Sequence, residues 1–274
     1  MELYGCHFEY AGISSRACGL VFANIESSPY TSVMGETSTI SVFDRHNKRK
    51  YYVDTLYDDS PISFEAEIVS ESPISANEIR KIEKWLFNQS SYRKLYVDLE
   101  DSNYDGVEVV DGQTLRQYLN CKFLNPSKIE GNGGIMGWSV TVECDAPLAW
   151  QDPIVKTFNL STSESQYITV KVDTDLNDYV YPRVTVRTKS GDSADLQLVN
   201  ITDDAYRLTT FVSVSGGVSI IIDGERNMLS GDSGNYYDKF KHKNFVRLKD
   251  GENRISVSSN VESVVFEWQN MRWL

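Results

Sequence analysis

The chain has 274 residues, enough to bury one large core or two ordinary ones, and the roughly 100 to 200 residues typical of a domain favour two. Its 27 basic and 39 acidic residues give a net charge of -12, which argues against a surface that neutralises nucleic-acid phosphates. The first residues lack the pattern of a secretory signal, and no segment approaches about 18 consecutive apolar residues, so neither export nor membrane insertion is expected.

Short strands are predicted at the start of the chain. Residues 8–10, 19–22 and 38–43 are rich in β-branched or aromatic side chains and are bounded by turn-forming residues. Residues 44–50 are polar and mostly basic, and they separate the strand at 38–43 from a second apolar run at 51–53. This order predicts an extended hairpin with a solvated basic tip.

The next strand, residues 61–69, alternates apolar and polar side chains. Its inward positions are predicted to be Ile62, Phe64, Ala66 and Ile68, because successive side chains of a strand point to opposite faces. The alternation therefore predicts a strand with one buried face.

An amphipathic helix is predicted from residue 75 to about residue 88. Ser75 can cap it together with Glu78 at the third helical position, and Ile74 and Ile79 have the spacing of a hydrophobic staple. Each capping side chain would then satisfy a backbone N–H that the first helical turn leaves unpaired.

The apolar face of this helix is narrow. Ile79, Ile82 and Leu86 share one side, with Trp85 at its edge and charged residues elsewhere. This pattern predicts a helix that packs on a sheet and serves the core.

More strands follow the helix. Residues 95–99 form the first of them, and residues 118–124 and 136–144 are expected to pair across a connection at 125–134 that contains Pro and Gly.

Two prolines, Pro147 and Pro153, indicate where the first domain ends, because proline cannot donate to a sheet ladder. We expect an N-terminal β-sandwich domain at residues 1–153, with its helix at 75–88, and a C-terminal β-sandwich domain at residues 154–274. The strands of the second domain are predicted at the spacing of an antiparallel sandwich, at 166–172, 183–187, 194–199, 218–222, 244–248, 254–258 and 264–268.

One segment has the first half of a calcium loop. The six residues from Asp101 to Gly106 place acidic and amide oxygens at alternate positions ahead of a glycine. The twelfth position, which should hold a bidentate Glu, is Gly112, and Glu108 takes the apolar eighth place. A plain turn is the better interpretation, with calcium as its alternative.

The remaining chemistry-bearing residues form no recognisable site. We predict no metal ligand, no cofactor and no catalytic residue, and we interpret the cysteines as buried free thiols of a chain made in a cytosol. Acidic pairs such as Asp203 and Asp204 leave a glycoside hydrolase open without supporting one. The cysteines and histidines are scattered along the chain, as Cys6, Cys18, Cys121 and Cys144, and His7, His46 and His242.

A polar triplet resembles the sugar-binding strand of galectins. His242, Asn244 and Arg247 supply the residue types of that strand, but two residues rather than one separate Asn244 from Arg247, and no Trp-x-x-Glu follows. The 16 Tyr and 5 Trp are candidate surfaces on which sugars could stack. One functional hypothesis is therefore a non-catalytic glycan-binding β-sandwich protein that contacts the host cell surface.

Taken together, several segments resemble the distal tail proteins of long-tailed bacteriophages, the family called Dit. The order and spacing of the segments carry the resemblance over nearly the whole chain. They are Phe8-Glu-Tyr-Ala-Gly12, the helix with Ile82 and Trp85-Leu86, the strand at 94–98, the run at 137–147 that ends on Pro147, and residues 220–224, 244–253 and a last strand ending near Arg272.

The resemblance implies a structural protein of the virion tail tip, made in the cytoplasm of the bacterial host, and not an enzyme. It implies a mainly β fold with two antiparallel sandwich domains, the first with one helix and a long hairpin and the second galectin-like. A hexameric ring would join the tail tube protein to the tail tip or tail-associated lysin protein and let DNA pass, with a receptor-binding protein as a further partner. The basic tip from Arg45 to Lys50 would reach a neighbouring subunit.

Overall fold

The structure, a computed structural model, describes residues 6–25, 37–44, 50–58, 60–98, 107–110, 112–131, 133–160, 166–203, 205–232 and 235–273. The chain divides into two compact units, one comprising Met1–Gln151 with Arg272–Leu274 and the other Asp152–Met271. Antiparallel strands dominate both units, and one α-helix is present in the described part of the chain. The prediction of a mainly β fold built from antiparallel sheets is therefore confirmed.

The first unit is organised around one large antiparallel sheet with the strand order β2-β1-β7-β9-β10-β6-β3. Strands β8 and β11 also pair with the long strand β9, while β4 and β5 form a separate two-stranded sheet. The elements are β1 His7–Tyr10, β2 Ile13–Ser14, a 3-10 helix Ser15–Cys18, β3 Leu20–Ile25, β4 Thr37–Asp44, β5 Lys50–Asp58, β6 Ser63–Ser70, α1 Ala76–Phe87, β7 Arg93–Asp98, β8 Val107–Val110, β9 Gln113–Gly131, β10 Gly134–Cys144 and β11 Ala149–Gln151.

Helix α1 begins as the sequence predicts. The Ser75 hydroxyl accepts from the Glu78 backbone N–H at 3.4 Å, and the Glu78 carboxylate accepts from the Ser75 backbone N–H at 3.1 Å, which completes the capping box. Ile82 and Leu86 are buried in the core, and Ile74 and Ile79 pack against it while partly exposed. The helix ends before Asn88, at the predicted position.

Trp85 lies deeper than its predicted place at the edge of the apolar face. Its side chain is buried, and its indole N–H donates to the Tyr10 carbonyl at 2.8 Å. The Trp85 ring also stacks on Phe8, with 5.9 Å between centroids, and Phe8 packs on Phe22. Because the indole N–H finds a backbone acceptor on β1, the whole ring can enter the core without leaving an unpaired donor.

The pairing of the two strands after the helix is confirmed, but the predicted loop at 125–134 is wrong. Strand β9 continues to Gly131, and β10 starts at Gly134. Between the pairs Leu124 with Thr141 and Ser127 with Ser139, Asn125 and Pro126 lie opposite one residue of β10. This β-bulge, with Asn125 at a φ of 50°, accommodates the proline, which cannot donate a ladder hydrogen bond.

The second unit contains two five-stranded antiparallel sheets, with the orders β12-β21-β14-β17-β18 and β13-β20-β15-β16-β19. Alternate residues of both sheets are fully buried, Val184 and Val186 in one and Leu196, Leu198 and Ile255 in the other. The strands are β12 Ile154–Asn159, β13 Gln166–Val172, β14 Arg183–Thr188, β15 Ala194–Asn200, β16 Leu208–Val214, β17 Ser219–Asp223, β18 Met228–Gly231, β19 Phe240–Lys241, β20 Gly251–Val257 and β21 Val261–Trp268. A last short strand, β22 Met271–Arg272, belongs to neither of these sheets.

One predicted strand of the second unit is wrong. Residues 244–248 form no ladder, and only Leu248 makes an isolated bridge, to Val180. The two residues before this segment, His242 and Lys243, have φ values of 65° and 50°, so the backbone turns sharply where a strand would begin.

The end of the chain belongs to the first unit. Arg272 donates from Nη2 to the Glu108 carboxylate at 3.0 Å, and Gln151 donates from Nε2 to the same oxygen at 2.7 Å. Glu108, the residue that breaks the calcium-loop pattern, is thus held by two donors. Among the described residues, no helix is long and apolar enough to cross a membrane.

Candidate functional site

The strands β4 and β5 form what we call the apolar hairpin. Within the described parts of the chain these strands pair with each other and with no other strand, from Thr37 with Asp58 to Asp44 with Lys50, which confirms the predicted hairpin. Large apolar and aromatic side chains along the hairpin are exposed, with Ile40 at 62%, Phe43 at 61% and Tyr52 at 66%. Among the hairpin residues whose burial is described, the exposed ones of this kind are Ile40, Val42, Phe43, Tyr51, Tyr52, Val53 and Leu56.

Both faces of the apolar hairpin are exposed. Val42 and Phe43 are adjacent in sequence and so point to opposite faces, and each lies opposite an exposed tyrosine, Tyr52 and Tyr51 respectively. An isolated two-stranded hairpin is marginally stable in water, and a cluster of exposed apolar side chains usually marks an interface. The hairpin therefore has the chemistry of a segment that is covered by another surface.

The predicted basic tip lies mostly outside the described residues, which include neither Arg45 nor Lys48 nor Arg49. Lys50 is described and exposed, at the start of β5. The sequence still places Arg45, Lys48, Arg49 and Lys50 close together along the chain, between two apolar strands.

A second surface of the first unit is a groove of about 810 Å³ beside α1, which we call the cationic groove. Lys81 and Lys84 reach it from the helix, and Arg93 and Lys94 from β7. Four basic side chains thus lie together on a chain whose net charge is -12. The acidic residue of the lining is Glu9, whose carboxylate accepts from Arg116 at 3.2 Å.

The cationic groove is held in shape by contacts beneath it. The Arg93 guanidinium donates to the Gln89 side chain at 3.1 Å, and the Lys94 ammonium lies 4.0 Å from the centre of the Tyr118 ring. These contacts fix two of the four cations, so the groove presents a defined positive surface that suits an acidic partner.

The second unit has a surface cavity of about 510 Å³, which we call the Tyr206 pocket. It brings together all three residues of the galectin-like triplet, although they do not lie on a strand. Its lining is Ala205, Tyr206, Arg207, Leu208, His242, Asn244 and Arg247.

Arg247 is the best-anchored residue of the Tyr206 pocket. Its Nε and Nη2 donate to the two carboxylate oxygens of Asp203 at 2.7 and 2.9 Å, and its guanidinium lies 3.7 Å from the centre of the Tyr179 ring. The Asp203 side chain is 1% exposed and that of Arg247 15%. The hydrogen bonds from Arg247 lower the pKa of Asp203, and those to Asp203 raise the pKa of Arg247.

Asp203 is therefore the buried partner of an arginine. Asp204, its predicted companion in a carboxylate pair, lies outside the described residues. On the other wall of the pocket, Arg207 donates from Nη2 to the Asn244 side-chain oxygen at 3.2 Å.

The other candidate sites of the sequence are not assembled by the described residues. Among them, no group of three or more His, Cys, Asp or Glu could hold a metal ion. The calcium-loop residues 101–106 and His46 lie outside the described residues, while the His7 ring contacts the Leu20 carbonyl at 3.2 Å.

The thiols differ in burial. All four cysteines are free, but Cys18 is exposed and Cys6 half-buried, so the prediction that all four are buried is wrong. Cys121 and Cys144 are buried cross-strand neighbours on β9 and β10, where burial raises the pKa of the Cys121 thiol.

Comparison with known families matches residues 3–146 to a domain described as the phage tail protein N-terminal domain and residues 148–267 to the phage tail C-terminal domain. The chain belongs to this family of phage tail proteins. The prediction that the chain resembles the distal tail proteins of bacteriophages is confirmed at this level.

Solved structures agree with the family. The chain superposes on SPP1 Dit, described as a paradigm of the hub adsorption apparatus in phages that infect Gram-positive bacteria, with a TM-score of 0.62 and 11% identity over 96% of this chain and 98% of that one. It also matches a chain of the phage p2 baseplate in its activated conformation, with a TM-score of 0.53 and 10% identity over 97% and 98% of the two chains. A search of curated proteins finds no match.

Sequence reasoning missed two features of this phage tail protein. The second strand of the apolar hairpin extends to Asp58, beyond the predicted apolar run at 51–53. Its consecutive residues Tyr51, Tyr52 and Val53 place large side chains on both faces, and this run was the available signal that both faces are exposed. Tyr206 and Arg207 were not singled out, because their approach to His242 and Asn244 depends on the path of two separate loops.

Proposed function

We propose that this phage tail protein is a structural hub at the distal end of the tail, where a ring of copies, hexameric by family resemblance, joins the tail tube to the tip protein and lets DNA pass. The observation that carries the proposal is the apolar hairpin, whose exposed side chains require a covering surface. The fold likeness to SPP1 Dit and to the phage p2 baseplate chain supports it.

In this proposal the hairpin of one copy packs on the next copy around the ring. Such a head-to-tail interface uses two different patches of the chain, and it closes into a ring when the rotation between copies allows. Ile40, Phe43 and Tyr52 are each exposed by 60% or more, so covering one of them contributes about 1–2 kcal/mol. Several such side chains per copy would supply a stable interface.

Charge indicates where the hairpin docks. Its basic tip, Arg45 to Lys50, would be repelled by the cationic groove beside α1, so we place the docking surface on an acidic part of the neighbour. The positive charge of the groove suits an acidic surface of another tail component. A ring built from copies of charge -12 would also repel DNA phosphates and so favour passage over adhesion.

We propose two domains that meet near residue 153, the second galectin-like, and partners among the tail tube protein, the tail tip or tail-associated lysin protein and a receptor-binding protein. The role is non-catalytic, with no cofactor or metal, in a virion tail tip assembled in the cytoplasm of the bacterial host.

Light scattering and negative-stain microscopy of the purified full chain test the ring. We expect particles with six-fold symmetry and a central hole, and we expect the double variant Phe43→Ser, Tyr52→Ser to lose them while keeping its circular dichroism. The control is Val109→Ser on β8, which removes an apolar side chain that is 69% exposed but outside the hairpin. A monomeric wild-type chain, or rings in the double variant, would contradict the proposal.

The basic tip has its own test. Reversing the charge of Arg45, Lys48, Arg49 and Lys50 to Glu should dissociate the ring, because the reversed tip would repel the acidic neighbour. Intact rings in this variant would show that the tip makes no contact between subunits. The apolar part of the interface would still be tested by the Phe43→Ser, Tyr52→Ser variant.

A further inference from the structure

The Tyr206 pocket has an excess of hydrogen-bond donors. Arg207 and Arg247 carry only donors; Asp203 accepts two hydrogen bonds from Arg247, and the Asn244 side-chain oxygen accepts one from Arg207. The amide nitrogen of Asn244 has no hydrogen-bond partner among the described residues, so it remains as a further donor. A ligand that fits this wall must therefore supply acceptors.

The backbone around the pocket is strained. Tyr206 and His242, which line the pocket, have φ values of 44° and 65°, and Lys243 beside His242 has 50°. The left-handed region is unfavourable for large side chains, and such residues concentrate at ligand sites, where surrounding contacts hold them in place. Tyr206 lies at the pocket with 65% of its surface exposed.

The walls are fixed before any ligand arrives. The bidentate pair of Arg247 with the buried Asp203, together with the packing of Arg247 on Tyr179, holds one wall. On the other wall, the hydrogen bond of Arg207 to Asn244 positions the two groups before an anion arrives, which lowers the entropic cost of binding. The volume of about 510 Å³ lies within the range of small-molecule sites, about 300–1,000 Å³.

We propose that the Tyr206 pocket binds an anionic saccharide, a sugar unit that carries a phosphate or carboxylate. The anionic group pairs with Arg207 and the Asn244 amide, and the sugar ring lies against Tyr206. This site is additional to the hub function and does not depend on it.

Charge decides between a small anionic ligand and a nucleic-acid strand. Within about 8–10 Å, the screening length at physiological salt, a single anionic group senses mainly Arg207, because the Asp203 carboxylate offsets the charge of Arg247. A long polyanion would also sense the rest of a chain with net charge -12, which opposes its binding. A neutral sugar would leave Arg207 without a charged acceptor.

Calorimetric titration of the full chain tests the pocket with four probes: glucose 1-phosphate, glucuronate, glucose and inorganic phosphate. We expect saturable binding of glucose 1-phosphate, glucuronate or both, at least ten-fold tighter than binding of glucose and of inorganic phosphate. The comparison of glucose 1-phosphate with glucuronate identifies the anionic group that the pocket prefers.

Two variants locate the binding. Arg207→Gln keeps a donor but removes the charge, and we expect it to weaken binding of the anionic sugar about ten- to a hundred-fold. Tyr206→Asn removes the ring while suiting the left-handed backbone, and we expect a further several-fold loss. Arg226→Gln is the matched control, because Arg226 is a highly exposed arginine of the same unit and does not line the pocket.

Several results would overturn the proposal. If inorganic phosphate binds as tightly as glucose 1-phosphate, the pocket binds anions but does not recognise the sugar. If glucose binds as tightly as the anionic sugars, the pocket does not require an anionic group. An equal loss in Arg226→Gln would place the effect outside the pocket, and absence of binding by every probe would end the proposal. If Arg207→Gln dissociates the rings, the pocket is a protein interface and the saccharide proposal is wrong. If the wild-type chain forms no ring but binds the anionic sugar, only the proposed hub function is contradicted.

Discussion

Replacing Arg247 by Met tests the most buried ion pair of the second unit. The change leaves the Asp203 carboxylate buried, with one remaining donor, the Ala205 backbone N–H at 3.1 Å. Loss of one partner of a buried pair costs about 3–5 kcal/mol, and the remaining hydrogen bond places this case near the lower end, at about 3 kcal/mol. The double variant Arg247→Met, Asp203→Asn removes the buried charge and should recover much of that loss.

Urea unfolding followed by circular dichroism measures the free energy of unfolding. The matched control is Arg183→Met, whose partner Glu267 lies 3.3 Å away in a pair with both side chains 40% exposed or more, and which should cost less than about 1 kcal/mol. If Arg247→Met costs no more than this control, the pair does not stabilise the unit in the way its geometry indicates.

The pH dependence supplies an independent check. Because Arg247 lowers the pKa of Asp203 in the folded chain, the pair stabilises the fold fully above the unfolded carboxyl pKa of about 4, and this contribution is lost as the pH falls through the lower folded pKa. The stability difference between wild type and Arg247→Met should therefore shrink in acid. A difference that stays constant from pH 7 to pH 3 would refute the electrostatic explanation.

Three further outcomes are expected. Ile82→Asp places a charge in the core beneath α1 and should abolish folding and ring assembly together; soluble, ring-forming variant protein would show that the helix does not cover the core. Ser75→Ala removes one hydrogen bond of the capping box and should lower the free energy of unfolding by about 1 kcal/mol in urea titrations, whereas an unchanged value would mean that water replaces the cap. A thiol reagent should modify Cys18 rapidly and reach Cys121 and Cys144 only in denaturant, and equal rates in the native protein would contradict their difference in burial.

The first unit was predictable where local patterns and tertiary packing agree. Burial alternates through most of β6, and the predicted inward residues Phe64, Ala66 and Ile68, with Ile62 just before the strand, are all buried. The helix carries a capping box that closes within four residues, so no distant contact is needed to place its start.

Prediction failed where the backbone depends on partners distant in sequence. The segment at 244–248 has the composition of a strand, yet Asn244 and Arg247 are held by Arg207 and Asp203, which lie about 40 residues earlier. Pro126 indicated a loop, and the bulge that keeps it inside β9 is defined only by pairing with β10. Single-sequence patterns carry no information about either partner.

The same limit explains the functional sites. The sequence pattern singled out three residues of the Tyr206 pocket, His242, Asn244 and Arg247. Tyr206 and Arg207 carry no such pattern, because they lie in a separate loop. The apolar hairpin was recognised as a hairpin, while its separation from the large sheet became evident only from the pairing of its strands.

The return of Arg272 to the first unit has a consequence for synthesis of the chain. The ion pair of Arg272 with Glu108 forms only after the ribosome has made the second unit, Asp152–Met271, between the two partners. At about 5–20 residues per second, those residues take on the order of 6–24 s to emerge. During that interval the nascent first unit lacks this ion pair, so the Glu108 carboxylate gains Arg272 as a partner only once the second unit has been made.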